Sequence, residues 1–290
     1  MTGEVDSSVR PVIAVGTGRC GTQFLKELFE QEAGVCAVHE SDPIGEAFHR
    51  YCQWNRLPVD DGGFLQQKQR EIESARAAGQ VFFESSAYLS LSITKLQAAF
   101  APRFILITRD PVDTVNSLWA KGWYQTAYRK QDPRAPVGYH AVGAPHHFFS
   151  RLVPHGEEFS AWQRLGRIGK LGWYWSMLHR QILAQWDGLP VTDRRIVKLE
   201  DLDHAAYLGL ARFAGIDPRL SAERFRQIAQ RLPGSLPNRQ LLAAWSETDV
   251  DEFVCQTEDV ARRLGYEADC RTRWRESQSA QADAAIEPSP

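Results

Sequence analysis

Apolar residues recur along this chain in two rhythms. Short runs rich in Val, Ile and Phe stand at residues 12–15, 35–38, 81–83 and 103–108, as strands buried on both faces of a parallel sheet would. A fifth run, 195–202, reads as a strand passing into a helix. Between the runs the spacing becomes helical: Phe24, Leu25, Leu28 and Phe29 after the first, Val115, Leu118 and Trp119 after the fourth, and Trp173, Tyr174, Trp175, Leu178 and Ile182 farther on. Residues 44–54 and 64–78 read as further helices, the second exposed and stopped by Gly79. Residues 205–214 and 250–264 end in the same way at Gly215 and Gly265. Strands alternating with helices predict a three-layer α/β/α fold around a mostly parallel central sheet.

The rhythm fails in two places. Residues 121–160 have no periodicity but hold Trp123, Tyr124, Tyr128, Tyr139, Phe148 and Phe149 with His140, His146, His147 and His155, which suggests a loop-rich aromatic insertion on the acceptor side of a site. Residues 271–290 are polar with few large apolar side chains and are expected to form a disordered tail. The rest, 1–270, is read as a single domain.

Composition narrows the function classes. With 43% hydrophobic residues in 290 the chain can bury a full core, and 34 basic against 36 acidic residues give a net charge of -2, so no global field favours nucleic acid or a membrane surface. Residues 1–10 lack an apolar signal core, and no run approaches a spanning helix. The expectation is a cytoplasmic protein without stable membrane insertion. Cys20, Cys36, Cys52, Cys255 and Cys270 lack paired metal-ligand spacing, and His146 and His147 are adjacent rather than one turn apart. Free thiols and no metal site are expected.

The chemistry is concentrated where the first strand meets Gly16-Thr17-Gly18-Arg19-Cys20-Gly21-Thr22-Gln23. Three glycines let backbone N–H groups converge, and the following helix N-terminus adds partial positive charge, a concavity suited to a phosphate. Gly16 and Gly21 have the spacing of the ATP-binding loop, but Thr22 stands where its lysine belongs, and the cation sits earlier, at Arg19. A cysteine phosphatase loop starting at Cys20 would need an arginine at the position Lys26 occupies.

The segment Arg19-Cys20-Gly21-Thr22-Gln23-Phe24 resembles the 5′-phosphosulfate loop of sulfotransferases that use 3′-phosphoadenosine 5′-phosphosulfate (PAPS), with Cys for the usual Ser and Gln for the second Thr. A second motif agrees with it: Arg109-Asp110-Pro111 follows the fourth strand, and Ser117 stands eight residues after Arg109. From the residues alone Arg109 reads either as a phosphate-gripping guanidinium at a strand end or as an ion pair with Asp113. Glu84-Ser85-Ser86-Ala87-Tyr88 is similar to a Glu-Lys-Ser-Pro-x-Tyr segment of glycan sulfotransferases, with Ser85 in the lysine's place. Glu200-Asp201 matches a structural segment of the family.

What this resemblance implies is a P-loop-like sulfotransferase fold and metal-independent, in-line transfer of a sulfuryl group from PAPS to a hydroxyl or amine of a small-molecule, lipid or carbohydrate acceptor, leaving 3′-phosphoadenosine 5′-phosphate (PAP). Gly18, Arg19, Cys20, Gly21, Thr22 and Gln23 would hold the 5′-phosphate, Arg109 and Ser117 the 3′-phosphate, with Asn238 and Arg239 from a later loop. Arg19 would also meet charge developing on the departing oxygen. His39 and Glu40, at the carboxyl end of the second strand, either face the crevice or cap the next helix; the resemblance favours Glu40 as the general base, with His39 as the alternative. The rival readings are a P-loop nucleotide-dependent kinase and a catalytically inactive nucleotide-binding sensor. Acceptor identity and oligomeric state are not legible in the sequence.

Overall fold

The computed structural model of the chain describes residues 10–125, 127–128, 138–139, 149–231, 242–266 and 269–286. Among these the strands are β1 (Val12–Val15), β2 (Val35–His39), β3 (Val81–Ser85), β4 (Arg103–Thr108), β5 (Ala127–Tyr128), β6 (Gly138–Tyr139) and β7 (Arg194–Lys198). The longer helices are α1 (Thr22–Phe29), α2 (Pro43–Asn55), α3 (Asp61–Ala77), α4 (Ile93–Phe100), α5 (Pro111–Ala120), α6 (Glu157–Arg164), α7 (Arg167–Trp186), α8 (His204–Phe213), α9 (Ala222–Arg231), α10 (Glu247–Arg263) and α11 (Cys270–Ile286). None among the described residues is long and apolar enough to cross a membrane.

All four residues of β1 are buried because both its edges are paired, with β3 on one side and β4 on the other, each parallel to it. The full sheet runs β2-β3-β1-β4-β7 and every pairing in it is parallel. Period-two alternation along β3 gives it two covered faces. Phe83 packs with Phe24, Leu25, Leu28 and Phe29 of α1 and with Tyr207 and Phe225 of α8 and α9, whereas Phe82 packs with Ile72 and Ala75 of α3. This is the expected three-layer α/β/α arrangement. Phe29 stacks on Phe83 with centroids 4.0 Å apart and meets Tyr207 edge-on at 5.6 Å. Each such buried ring contributes about 1.5–3 kcal/mol.

The described chain divides into two compact units. The first comprises residues 1–109, 141–150 and 181–232 and contains the whole parallel sheet; the second comprises 110–140, 151–180 and 233–290. In the second, Tyr124, Trp162 and Trp173 pack edge to face, with centroids 5.4 Å and 5.9 Å apart for the two Trp162 pairs. Arg167 lies 3.8 Å over the Trp119 ring and donates to the carbonyls of Trp119 and Trp123. Much of the 121–160 insertion lies outside the described residues.

Three expectations are corrected. The third strand does not stop at Phe83 but continues through Ser85, with Glu84 wholly buried, because a lysine on α3 neutralises it. For the same reason α3 is not simply an exposed helix: it starts at Asp61, capped by Asp60, and buries Lys68 with Ile72 and Ala75. Of the tail expected to be disordered, residues 271–286 belong to α11, held by a few specific contacts that composition does not reveal. Trp274 Nε1 donates to the Trp245 carbonyl at 2.9 Å, Gln278 donates to the Ala243 carbonyl at 2.6 Å, and Arg273 pairs with Asp110 at 2.7 Å.

Candidate active site

Register brings the polar strand ends of the first unit to one edge. His39 lies opposite Ser85 and Ala14 opposite Ser85 on the other side, and Ser86 N–H continues the ladder to the Ala14 carbonyl at 2.9 Å. The glycine loop after β1, His39 and Glu40 at the end of β2, Ser86 after β3 and Arg109 after β4 therefore share the carboxyl edge of a parallel sheet, where ligands of such folds bind.

The loop is shaped by its backbone. Gly18, Arg19 and Gly21 all have positive φ, at 81°, 58° and 101°, and left-handed residues in close succession turn amides toward a common concavity. Gly16 is required by close approach: a Cβ there would lie 2.4 Å from Cys20 Sγ and 2.7 Å from the Ile107 carbonyl oxygen. Gly21 is the N-cap of α1 and supplies no side-chain cap, so the positive end of the helix is presented to the loop without a built-in oxygen partner from that position.

Arg109 donates from Nη1 to the Arg19 carbonyl at 3.3 Å. Arg19 reaches solvent, yet crowding by protein atoms and then repulsion from Arg109 lower its pKa. Two mutually repelling cations beside a helix N-terminus form a place where an anion relieves strain. Ser117 stands half-buried on α5, in the second unit, and Asn238 and Arg239 lie outside the described residues.

The remaining loop residues divide by what their side chains do. Cys20 is wholly buried and burial pushes its thiol pKa up, so toward a ligand it offers its amide and not its sulfur. Gln23 is exposed and donates to Glu27 at 3.2 Å. Thr22 Oγ1 shares a 3.1 Å hydrogen bond with His39 Nε2, while Ser85 donates its hydroxyl to the Thr22 carbonyl at 2.7 Å.

His39 and Glu40 separate sharply. Extended geometry, which would place them on opposite sides of the strand, ends at His39: Glu40 takes a left-handed conformation, φ 49°, with its amide on the Ser85 carbonyl at 3.2 Å. That conformation is uncommon for a side-chain-bearing residue. Glu40 does not cap α2; Asp42 does, accepting from the Gly45 amide at 3.0 Å. Burial and then the Glu46 charge raise the Glu40 pKa to about 7, against an opposing pull from Arg50. His39 moves the other way, lowered chiefly by burial and secondarily by Lys26, with Glu46 opposing.

Sequence reasoning missed Arg50, Glu46 and Lys68. Arg50 is wholly buried, donates to the Ala87 carbonyl at 3.0 Å and lies 4.8 Å over the Tyr88 ring. No signal marked it, since a cation in an amphipathic helix reads as solvent-facing.

No family model and no curated protein matches the sequence. Among solved structures the chain is similar to the sulfotransferase domain from the curacin biosynthetic pathway, with a TM-score of 0.53 at 12% identity over 89% of this chain and 98% of that one. The chain has the fold of a sulfotransferase. A sulfotransferase from Alicyclobacillus acidocaldarius aligns over 92% of this chain and 99% of its own, with 13% identity and a TM-score of 0.44. On this sulfotransferase fold, the strand-end edge bearing the glycine loop, Arg109 and Glu40 is the candidate active site.

Proposed function

We propose that the chain transfers a sulfuryl group from PAPS to a hydroxyl or amine of an acceptor. The observation that carries this reading is the convergence of Arg19 and Arg109 at the glycine loop, joined through the 3.3 Å hydrogen bond between them. Amides of residues 18–23 and the α1 N-terminus hold the 5′-phosphate, and Arg109 grips the 3′-phosphate, with Ser117 adding a hydroxyl. Asn238 and Arg239 complete the donor site in this reading.

The acceptor oxygen attacks sulfur from the side opposite the bridging oxygen. As the new S–O bond forms, the bond from sulfur to the bridging oxygen breaks, its electron pair leaves with PAP, and the acceptor proton passes to Glu40. A carboxylate whose pKa lies near 7 is matched to that task. Arg19 meets the charge that develops on the departing oxygen. Ile44 and Phe48, one turn apart on α2 just beyond Glu40, are each about half exposed, at 50% and 48%, and Phe48 meets Phe149 at 5.2 Å. These surfaces favour an apolar or aromatic body on a small-molecule or lipid acceptor over a densely hydroxylated sugar.

Calorimetry with PAP in excess EDTA tests the donor assignment. Binding without metal is the expected outcome. No binding, or tight ATP binding that needs magnesium, overturns it and favours a kinase.

A further inference from the structure

Beneath the Glu40 turn lies a charge cluster that the reaction does not directly use. Lys68 Nζ, its side chain only 1% exposed, bonds Glu46 Oε1 at 2.6 Å, both oxygens of Glu84 at 2.8 Å, Ser41 Oγ at 2.7 Å and Glu71 Oε2 at 3.1 Å. Glu46 and Glu84 are as deeply buried as the lysine. The cluster is tied into the backbone after β2: Ser41 N–H and Oγ both donate to Glu84 Oε1, at 3.2 Å and 3.0 Å, and the Asp42 amide donates to Glu46 Oε1 at 3.3 Å. Ser86, the first residue after β3, donates to the other oxygen of Glu46 at 2.6 Å.

Lying between the Ser85 carbonyl, which accepts its own amide, and the tethered Ser41, Glu40 is clamped on both sides in its left-handed conformation. A buried lysine is costly to desolvate, and so are carboxylates in the same cavity. Their placement at the root of one turn fits a role that apolar packing would not fill, and fixing a strained backbone is such a role.

We propose that Lys68, Glu46 and Glu84 are positioning residues that hold Glu40 in place as the base of sulfuryl transfer, acting through Ser41. This rests on the reading of Glu40 given above. The cluster also sets the field at Glu40. The charged groups that act on the Glu40 carboxyl are Glu46, which disfavours its ionisation, and Arg50, which favours it, both on α2. Lys68 on α3 and Glu84 on β3 act on Glu46, and Glu71 on α3 acts on Lys68. Burial works against ionisation of Glu46, but the Lys68 charge and hydrogen bonds from Glu84, Lys68 and Ser86 together lower its pKa. Glu84 is raised well above the usual range by burial and then by Glu46. Burial likewise opposes the Lys68 charge, and Glu84, Glu46 and Glu71 overcome it.

The test uses the full chain with Ser41→Ala, Glu46→Gln and Lys68→Met. The Glu40 carboxyl is titrated by carbon-13 NMR, its signal assigned by its loss in Glu40→Gln. PAP affinity is measured by calorimetry, and conversion of PAPS to PAP is followed with water as the acceptor. Removing the Glu46 anion is expected to move the Glu40 midpoint to lower pH by at least about half a unit. Ser41→Ala and Glu46→Gln are expected to keep PAP affinity within about twofold while PAPS conversion falls at least about fivefold. If Lys68→Met fails to fold, these two variants decide alone. A Glu40 midpoint unmoved by Glu46→Gln overturns the proposal, as does a loss of conversion that only follows a loss of melting temperature. If the wild-type chain converts no PAPS, the sulfuryl-transfer reading falls, and the Glu40 titration separately accepts or rejects the placement of Glu40 by the cluster.

Discussion

Thr22 Oγ1 and His39 Nε2 are joined by a 3.1 Å hydrogen bond that ties the first turn of α1 to the end of β2. The bond engages the histidine nitrogen that would otherwise be the exposed base, and burial lowers the ring's pKa so that it is neutral at pH 7. Glu40, the next residue, has no such tie through its side chain to the glycine loop, and its pKa of about 7 keeps a substantial ionised fraction at neutrality.

Glu40→Gln is accordingly expected to lower sulfuryl transfer by about 10²–10⁴-fold, the range of a general base, while PAP affinity stays near that of wild type. His39→Gln keeps a hydrogen-bonding group for Thr22 and is expected to cost much less. Steady-state turnover of PAPS with each variant, beside calorimetry with PAP, separates the two. Near-normal turnover in Glu40→Gln with loss in His39→Gln would transfer the role of base to His39.

The same carboxyl imposes a pH dependence on stability. Its folded-state pKa, about 7, is above its ordinary value of 4.5, so between these pH values the folded chain binds more protons than the unfolded chain. The stability contributed by protonated Glu40 is complete below about pH 4.5 and is lost as pH rises through about 7. Glu40→Gln removes this penalty. Its melting temperature is expected to exceed that of wild type at pH 8 and to converge with it by pH 4.5, as scanning calorimetry at both pH values would reveal. An equal shift at both would point to packing instead of charge.

Legibility in the sequence followed local rules. β1 and β4 were readable to the residue because unbroken apolar runs leave no other buried solution, and the glycine loop because its residues are chosen by backbone geometry. The end of β3 was not readable. Glu84 looks like a strand terminator until Lys68, sixteen positions earlier on a largely polar helix, is known to meet it. The left-handed turn at Glu40 was hidden for the same reason, since its tethers Ser85 and Glu84 are distant in sequence. α11 was missed because it is held by a few anchors, Trp274 chief among them, and not by a periodic apolar face.

Gly16→Ala tests the loop's dependence on close approach. The added methyl would sit 2.4 Å from Cys20 Sγ and 2.7 Å from the Ile107 carbonyl oxygen, and the second of these is backbone of a central strand that cannot easily yield. A loss of about 1–3 kcal/mol is expected from overpacking. Chemical denaturation should place its midpoint below that of Gly34→Ala, where a Cβ meets nothing within 4 Å and the positive φ is the sole cost. Equal midpoints would mean that the loop relaxes freely.

Arg109 provides the sharpest test of the donor site, because the loop and the arginine are expected to serve different phosphates. Arg109 is anchored at the end of β4, paired with β1 on one side and β7 on the other, so its guanidinium projects from a rigid base and little entropy is lost on gripping an anion. Arg109→Ala removes both that grip and the hydrogen bond to the Arg19 carbonyl. It also removes the repulsion that lowers the Arg19 pKa, while Arg19 and the loop amides remain for the 5′-phosphate. The expected outcome is asymmetric: PAP binding weakens by about 1.5–3 kcal/mol, the worth of a charge-assisted hydrogen bond, whereas adenosine 5′-phosphate, which lacks the 3′-phosphate, loses far less. Calorimetry with both ligands on wild type and variant gives the coupling directly as a double difference. Equal losses for the two ligands would place Arg109 in the scaffold of the glycine loop and remove it from the 3′-phosphate site.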